Sequence, residues 1–339
     1  MNSPEYNKYF PPSPTARSMP YSFWWPIICG AVSGTVIRLV FSGNPGEAYT
    51  AMLAAFVYLA PLVVGMVTVY VAERSHRRSW GYYAWASAFA NLLFVVGSLV
   101  TLMEGIICAI LIAPLFAVIG ALGGLLMGAI CRFTKWPRST LGCFAALPLL
   151  LGALGGDPGQ RVHTLESVQR QVLVQAPADE VWRHLMDADR IAPQEVGTAW
   201  MYRIGVPMPL AGVTEQTPAG LVRDVRMGKG IHFSQVSSDW EPGRHVHWQY
   251  RFEPGSVPPG ALDDHVRIGG DYFDLAGTTY TLVPRGQATL LQIEMQYRVS
   301  TDFDWYARPI ARWLIGDFSD VILDFYRVRS ESQGGRAPA

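Results

Sequence analysis

The strongest constraint on this chain is where its apolar residues fall. Tyr21–Phe41, Tyr49–Val71, Tyr82–Met103 and Ile106–Cys131 are runs of mostly apolar sequence. Each is long enough to cross a hydrocarbon core of about 30 Å, which takes roughly 20 helical residues. A further run, Leu141–Gly156, is shorter and sits near the lower limit for a span. In lipid every backbone N–H and C=O must be satisfied within the protein, so such runs predict helices. Composition agrees: 16% of the 339 residues are charged and 50% are hydrophobic, against about 25% charged in a typical soluble domain. Aromatic residues mark the ends of several runs, namely Trp24, Trp25, Trp80, Tyr82, Tyr83 and Trp136. Amphipathic rings gather at the headgroup level in this way.

Charge gives these runs an orientation. Lys8 and Arg17 precede the first run, Arg74, Arg77 and Arg78 follow the second, and Arg132, Lys135 and Arg138 follow the fourth. The loop around Gly43–Glu47 and the Glu104–Gly105 connection carry no Lys or Arg. Positive loops stay on the cytoplasmic side. The sequence therefore predicts a multi-pass inner (plasma) membrane protein with a cytoplasmic N-terminus. If Leu141–Gly156 spans, the second half of the chain is extracytoplasmic; if that run is interfacial or re-entrant, the second half is cytoplasmic. The first run reads as an uncleaved span, because its preceding tail is long and Pro-rich and further spans follow at once.

Small residues repeat at helical spacing within the spans. Gly30 and Gly34 share one face of the first, and Gly120, Gly124 and Gly128 share one face of the fourth. Such stripes let helices approach closely, either inside one chain or as the face of a homodimer. Arg38 is the one charge well inside a span and is expected to snorkel toward the headgroups. No chain of intramembrane Asp, Glu or His suggests a proton pump or ion-coupled transporter. Cys29, Cys108, Cys131 and Cys143 all lie in or beside apolar runs, which rules out a disulfide scaffold in the second half.

The net charge of zero conceals an asymmetry. Residues 1–160 hold nine Lys/Arg and five Asp/Glu, and residues 161–339 hold eighteen and twenty-two. No Lys/Arg run marks a nucleic-acid face. The chain thus divides into a tail (1–20), a membrane domain (21–156) of about five transmembrane helices, a linker (157–166) opened by Gly-Gly-Asp-Pro-Gly, a folded domain (167–331) and a flexible tail (332–339). After the linker the pattern changes. Ser167–Gln175 alternates as a strand, and Val181, Leu185 and Ala188 follow at helical spacing. Ile191–Gly220 is rich in Pro and Gly and reads as irregular. Strands are expected at Leu221–Met227, Ile231–Trp240, Arg244–Phe252, Tyr272–Val283 and Thr289–Val299. A long helix closes the domain, with an apolar stripe of Phe303, Tyr306, Ile310, Trp313, Leu314, Val321, Phe325 and Val328. Pro309 is expected to kink or restart it.

The opening Val172-x-Val174-x-Ala-Pro-Ala-Asp-Glu-Val-Trp182, the Ser238–Arg244 turn and the Tyr297–Ser330 stretch resemble the SRPBCC (START/Bet v 1-like) superfamily. Within it the resemblance is to the polyketide cyclase/dehydrase and lipid-transport group. It covers half the chain; the membrane half resembles no family. It implies a helix-grip α+β domain, a curved antiparallel sheet around a long C-terminal helix, with an apolar cavity for lipids, sterols or polyketides. A minority of such proteins catalyse reactions on these ligands.

No motif fixes a catalytic residue, a metal or a cofactor; Ser-His-Asp, phosphate-loop and HExxH patterns are all missing. His245 and His247 alternate to the face opposite Trp248 and Tyr250 and read as surface residues. Asp263, Asp264 and His265 sit in a Pro/Gly loop as turn-forming groups. The candidate ligand-binding residues are Arg223, Trp248, Tyr250, Met295, Tyr297 and Trp313. Arg223 shares a face with Leu221, Val225 and Met227; if that face lines the cavity, its guanidinium needs an anion. A ligand carboxylate or phosphate serves, as does a protein carboxylate such as Glu294 or Asp274. The expected work is binding, and transfer, of a lipid or other hydrophobic small molecule by a membrane-anchored domain, more a binder than an enzyme. The alternatives are a cyclase/dehydratase-type enzyme and a ligand-sensing membrane module.

Overall fold

A computed structural model describes residues 23–43, 49–75, 77–134 and 165–333. The chain forms two units, each with a core of its own.

The first unit is helical: α1 (Trp25–Val40), α2 (Ala60–Ser75), α3 (Trp80–Val100) and α4 (Ile106–Phe133). A π-turn, Ala55–Leu59, leads into α2. Pro61 follows one residue later, and a residue without an N–H disturbs the helical ladder at that point. Ser79 starts α3 by accepting a hydrogen bond from the Tyr82 N–H at 3.2 Å. The segments Ala55–Ser75, α3 and α4 are long and apolar enough to cross a membrane, and α1 is a shorter apolar helix. The fifth apolar run, Leu141–Gly156, lies outside the described residues, as do 1–20, 157–164 of the linker and 334–339 of the C-terminal tail.

Close packing explains the glycines. A Cβ on Gly120 would lie 1.9 Å from Asn91 Nδ2, one on Gly124 2.1 Å from Ser87 Oγ, and one on Gly128 2.3 Å from the Tyr83 ring. The stripe on α4 is therefore filled by α3 of the same chain, the intramolecular one of the two readings. Gly30 similarly receives Thr68 of α2, and Gly34 receives Phe94 of α3. Asn91 Nδ2 donates to Pro61 O at 3.2 Å and Ser87 O at 2.9 Å. Arg38 does not snorkel. It is buried, and its guanidinium donates to the carbonyls of Phe41 and Met103. The Phe41 carbonyl caps α1, where a helix end lacks intrahelical donors and attracts cations, and Met103 lies in the connection between α3 and α4.

In the second unit β1 (Leu165–Val174), α5 (Ala178–Met186) and β2 (Asp187–Ala188) come first. Two single-turn helices follow, α6 (Pro193–Val196) and α7 (Trp200–Arg203). Then come β3 (Pro209–Thr217), β4 (Gly220–Met227), β5 (His232–Glu241), β6 (His245–Arg251), β7 (Phe273–Arg285), β8 (Ala288–Val299) and α8 (Asp304–Gln333). The strands form one antiparallel sheet in the order β1-β8-β7-β6-β5-β4-β3-β2. Register shifts at Pro209/Ala211, Val236/Asp239 and Leu275/Gly277 interrupt the ladders; extra residues of this kind bend strands and increase twist. The result is a curled half-barrel with a long C-terminal helix, the helix-grip arrangement that the resemblance implies.

Two expectations change here. The stretch read as irregular contains β3, whose alternation is masked by Pro207, Pro209, Gly212 and the bulge. The closing helix runs through Pro309 without a restart. It packs along β1 and β8 and makes few contacts with β3–β6.

Candidate ligand-binding site

Side chains directly opposite in antiparallel strands share a face. Thr214 pairs with Arg223, Arg223 with Gln235, and Gln235 with Tyr250, forming one row across β3–β6. The Tyr250 hydroxyl lies 2.6 Å from Thr278 Oγ1, which carries the row onto β7. This row is on the concave face, since Arg223 is 4% exposed, Gln235 8% and Thr278 2%. Apolar and aromatic neighbours flank it: Leu221, Phe233, Trp248 and Tyr280 are all buried. The Arg223 guanidinium carbon stands 5.2 Å from the centre of the Trp248 ring, within the reach of a cation–π contact.

The row is incompletely satisfied. Arg223 Nε and Nη2, Trp248 Nε1 and Thr214 Oγ1 are buried without a hydrogen-bond partner in the protein. Each such group costs about 1–3 kcal/mol, and a charged one more. No described ion pair includes Arg223. The protein carboxylates expected to neutralise it do not: Glu294 lies on the convex face beside Gln169, Thr279 and Thr281, and Asp274 accepts from the Gly269 N–H at 3.0 Å. Strand parity explains Glu294, which falls out of phase with buried Ile293 and Met295.

Burial holds the Tyr250 hydroxyl above its ordinary range, opposed by hydrogen bonds from Thr278 and Gln235 and by the Arg223 charge. Burial likewise pushes Tyr280 well up; its ring meets Tyr326 of α8 edge-on at 5.8 Å. Both hydroxyls are therefore hydrogen-bonding groups rather than bases near neutral pH.

Of the other candidates, Met295 stands directly opposite Thr278 on the next strand, at the end of the row, and Tyr297 and Trp313 lie beyond it. Met295 is buried where α8 rests on the sheet, its sulfur 3.4 Å from Ser319 Oγ. The Tyr297 hydroxyl donates to Glu166 Oε2 at 3.0 Å, and Arg312 Nη2 reaches the same oxygen at 3.2 Å. Helix and sheet meet at both residues. Trp313 is 52% exposed, and its ring lies 5.8 Å from that of Trp200. The buried residues of α8 are Ile315, Ser319, Ile322, Leu323, Phe325, Tyr326 and Ser330, of which the expected stripe contained Phe325. Their spacing is helical, but two serines break the apolar pattern, and their hydroxyls bond back to Ile315 O and Tyr326 O. Arg223, Trp248 and Tyr250 remain together; Gln235, Thr278, Tyr280, Tyr326 and Thr214 join them. Gln235 was detectable as a polar residue in phase with Phe233 and Ser237, but its partner depends on strand register.

His245 and His247 pair outside this row, with Asp239 Oδ1 at 2.9 Å and Thr279 Oγ1 at 2.8 Å. Asp264–Val266 is a 3-10 turn. Among the described residues no cluster of His, Cys, Asp and Glu could hold a metal ion.

Fold and row together define a helix-grip domain with a polar, partly unsatisfied interior. No family profile and no curated protein matches the chain. Among solved structures it is similar to the di-domain aromatase/cyclase StfQ of the steffimycin biosynthetic pathway, at 12% identity and TM-score 0.33. That match covers 51% of this chain and 53% of the other, so the chain spans about half the length of StfQ. The Zhui aromatase/cyclase from Streptomyces sp. R1128 is matched at 15% identity and TM-score 0.33, over 51% of this chain and 98% of that one. A START superfamily protein from Mycobacterium smegmatis is matched at 16% identity and TM-score 0.33, over 49% and 98%. Identities this low transfer no residue role.

Proposed function

We propose that this chain is a membrane-anchored protein whose helix-grip unit binds, and transfers, a lipid or other hydrophobic small molecule. The observation that supports this most is the concave face of β3–β6. Its aromatic and polar side chains are buried, α8 makes few contacts with it, and several of its donors have no partner in the protein. An interior left incomplete by its own chain is suited to a ligand that completes it; a few placed polar groups within an apolar lining are the usual make-up of such sites. Arg223, Trp248 and Tyr250 are its binding residues, while Met295 and Tyr297 support the helix–sheet junction beside it.

Three long apolar helices support the membrane anchor. The Arg-rich segments after α2 and α4 support a cytoplasmic N-terminus, with the helix-grip unit outside the cytoplasm if residues 141–156 span. A reporter fused after Arg336 tests the sidedness: signal from the cytoplasm refutes it. Tethering beside a bilayer would raise the unit's effective concentration near lipids.

A cyclase- or dehydratase-type enzyme is the second reading, favoured by the Tyr250–Thr278–Gln235 hydrogen bonds beside Arg223. A hydroxyl held protonated can position a carbonyl, but no group placed beside it serves as a base. Mass spectrometry of molecules co-purifying with the detergent-extracted chain decides between them. A retained amphiphile recovered intact supports binding; its conversion in the extract, lost in Tyr250→Phe, supports catalysis.

A further inference from the structure

We infer that the helix-grip site takes an apolar molecule carrying a single carboxylate, with that carboxylate held by Arg223. This rests on the ligand-binding reading above and specifies the ligand's chemistry. The two unpartnered nitrogens of Arg223 are Nε and Nη2. Their N–H bonds run parallel on one edge of the planar guanidinium, which is the fork that grips a carboxylate through two parallel hydrogen bonds. A guanidinium does not shed its proton in proteins, and Arg223 is 4% exposed and belongs to no described ion pair, so its charge calls for an anionic partner. One positive charge calls for one negative charge. A phosphate monoester carries about 1.5 to 2 negative charges near neutral pH and would leave an excess in an apolar surround. Trp248 Nε1, also buried and unpartnered, adds a neutral donor nearby, on the ring that flanks the guanidinium. Leu221, Phe233 and Tyr280 provide the apolar and aromatic contact for the rest of the molecule.

The full chain in maltoside micelles is titrated with [1-13C]decanoate and, separately, [1-13C]decan-1-ol. Protein-bound and micellar carbons are resolved by 13C NMR. The expected result is a protein-bound decanoate resonance and at least about tenfold tighter binding than decanol, the equivalent of about 1.4 kcal/mol. Arg223→Met should abolish that preference, and Arg223→Lys, which keeps the charge and loses the fork, should restore only part of it. A thermal melt establishes that each variant is folded, and Trp248→Phe serves as a milder probe with an expected smaller loss. Decanol binding as tightly as decanoate, or a preference that survives Arg223→Met, overturns the carboxylate assignment while leaving hydrophobic binding intact. Tighter binding of decyl methyl phosphate than of decanoate overturns it in favour of a phosphodiester headgroup. If neither chain binds and no amphiphile co-purifies, the ligand-binding reading fails and the inference with it.

Discussion

The two halves of the curved sheet are built from the same alternation yet end in different states. Under α8, β1 and β8 present Val168, Leu291, Ile293, Met295 and Tyr297, all nearly inaccessible, and the Tyr297 hydroxyl is held by Glu166. Across β3–β6 the same concave face carries Thr214, Arg223, Gln235 and Tyr250, with donors left over. The first half is a core completed by its own helix. The second joins that core through Leu221, Trp248 and Tyr280 but keeps polar groups without partners. Arg38 sharpens the contrast: it too is buried, but two backbone carbonyls accept its hydrogen bonds. Burial of an arginine is not by itself a sign of a site; burial without acceptors is.

The largest expected effect breaks the completed half. Met295→Ala should destabilise the detergent-solubilised chain by about 2–5 kcal/mol, the cost of a core cavity. A loss below about 1 kcal/mol in denaturant titration would mean that α8 does not seal this half. The open half should respond with the opposite sign. Arg223→Met removes an uncompensated buried charge and should stabilise the ligand-free chain by about 1–4 kcal/mol. A lowered melting temperature would show that the guanidinium already has a partner.

The clamp at the end of α8 comes next. Arg329 Nε and Nη2 grip Glu195 at 2.8 and 2.9 Å, and these hydrogen bonds hold the Glu195 carboxyl below its ordinary value. Glu195→Gln should cost about 1.5–3 kcal/mol at neutral pH. A carboxyl lowered on folding stabilises above its unfolded value of 4.5 and loses that contribution as pH falls through the folded one. The gap between the natural chain and Glu195→Gln should therefore close in acid; a gap independent of pH counts against the ion pair.

Tyr297→Phe should lower stability by about 1 kcal/mol, through the Glu166 bond, and leave decanoate affinity unchanged. A changed affinity with unchanged stability would move the site to the helix-covered half. The smallest effect belongs to His184, whose imidazole is lowered chiefly by burial and then by the Arg183 and Arg329 charges. Its unfolded form binds a proton more readily, so stability declines as pH falls below the ordinary value of 6.5. His184→Gln should flatten that decline, and an identical slope in both proteins would refute the assignment.

Local periodicity made much of this architecture legible. Apolar runs of membrane-spanning length correspond to α1–α4, and alternation located β4 through β8. It failed at β3, where Pro209, Gly212 and a bulge mask the two-residue period. It failed again on α8, where Ser319 and Ser330 bury hydroxyls bonded to their own helix while Trp313 turns outward. Hydrophobicity ranks residues by transfer to an apolar phase; it does not register a polar group whose partner is one helical turn away.

What the sequence determined by itself is the kind of each segment and which side chains share a face, because both follow from backbone geometry over a few residues. It placed Arg223 inside and asked for an anion. Tertiary structure alone decided that Glu294 and Asp274 do not reach Arg223, that α3 fills the glycine stripe, and that Gln235 and Tyr250 stand in one row with Arg223. Those outcomes depend on strand register and helix placement, which shift by single residues without altering any local pattern, and a one-residue slip moves every side chain of a strand to the other face.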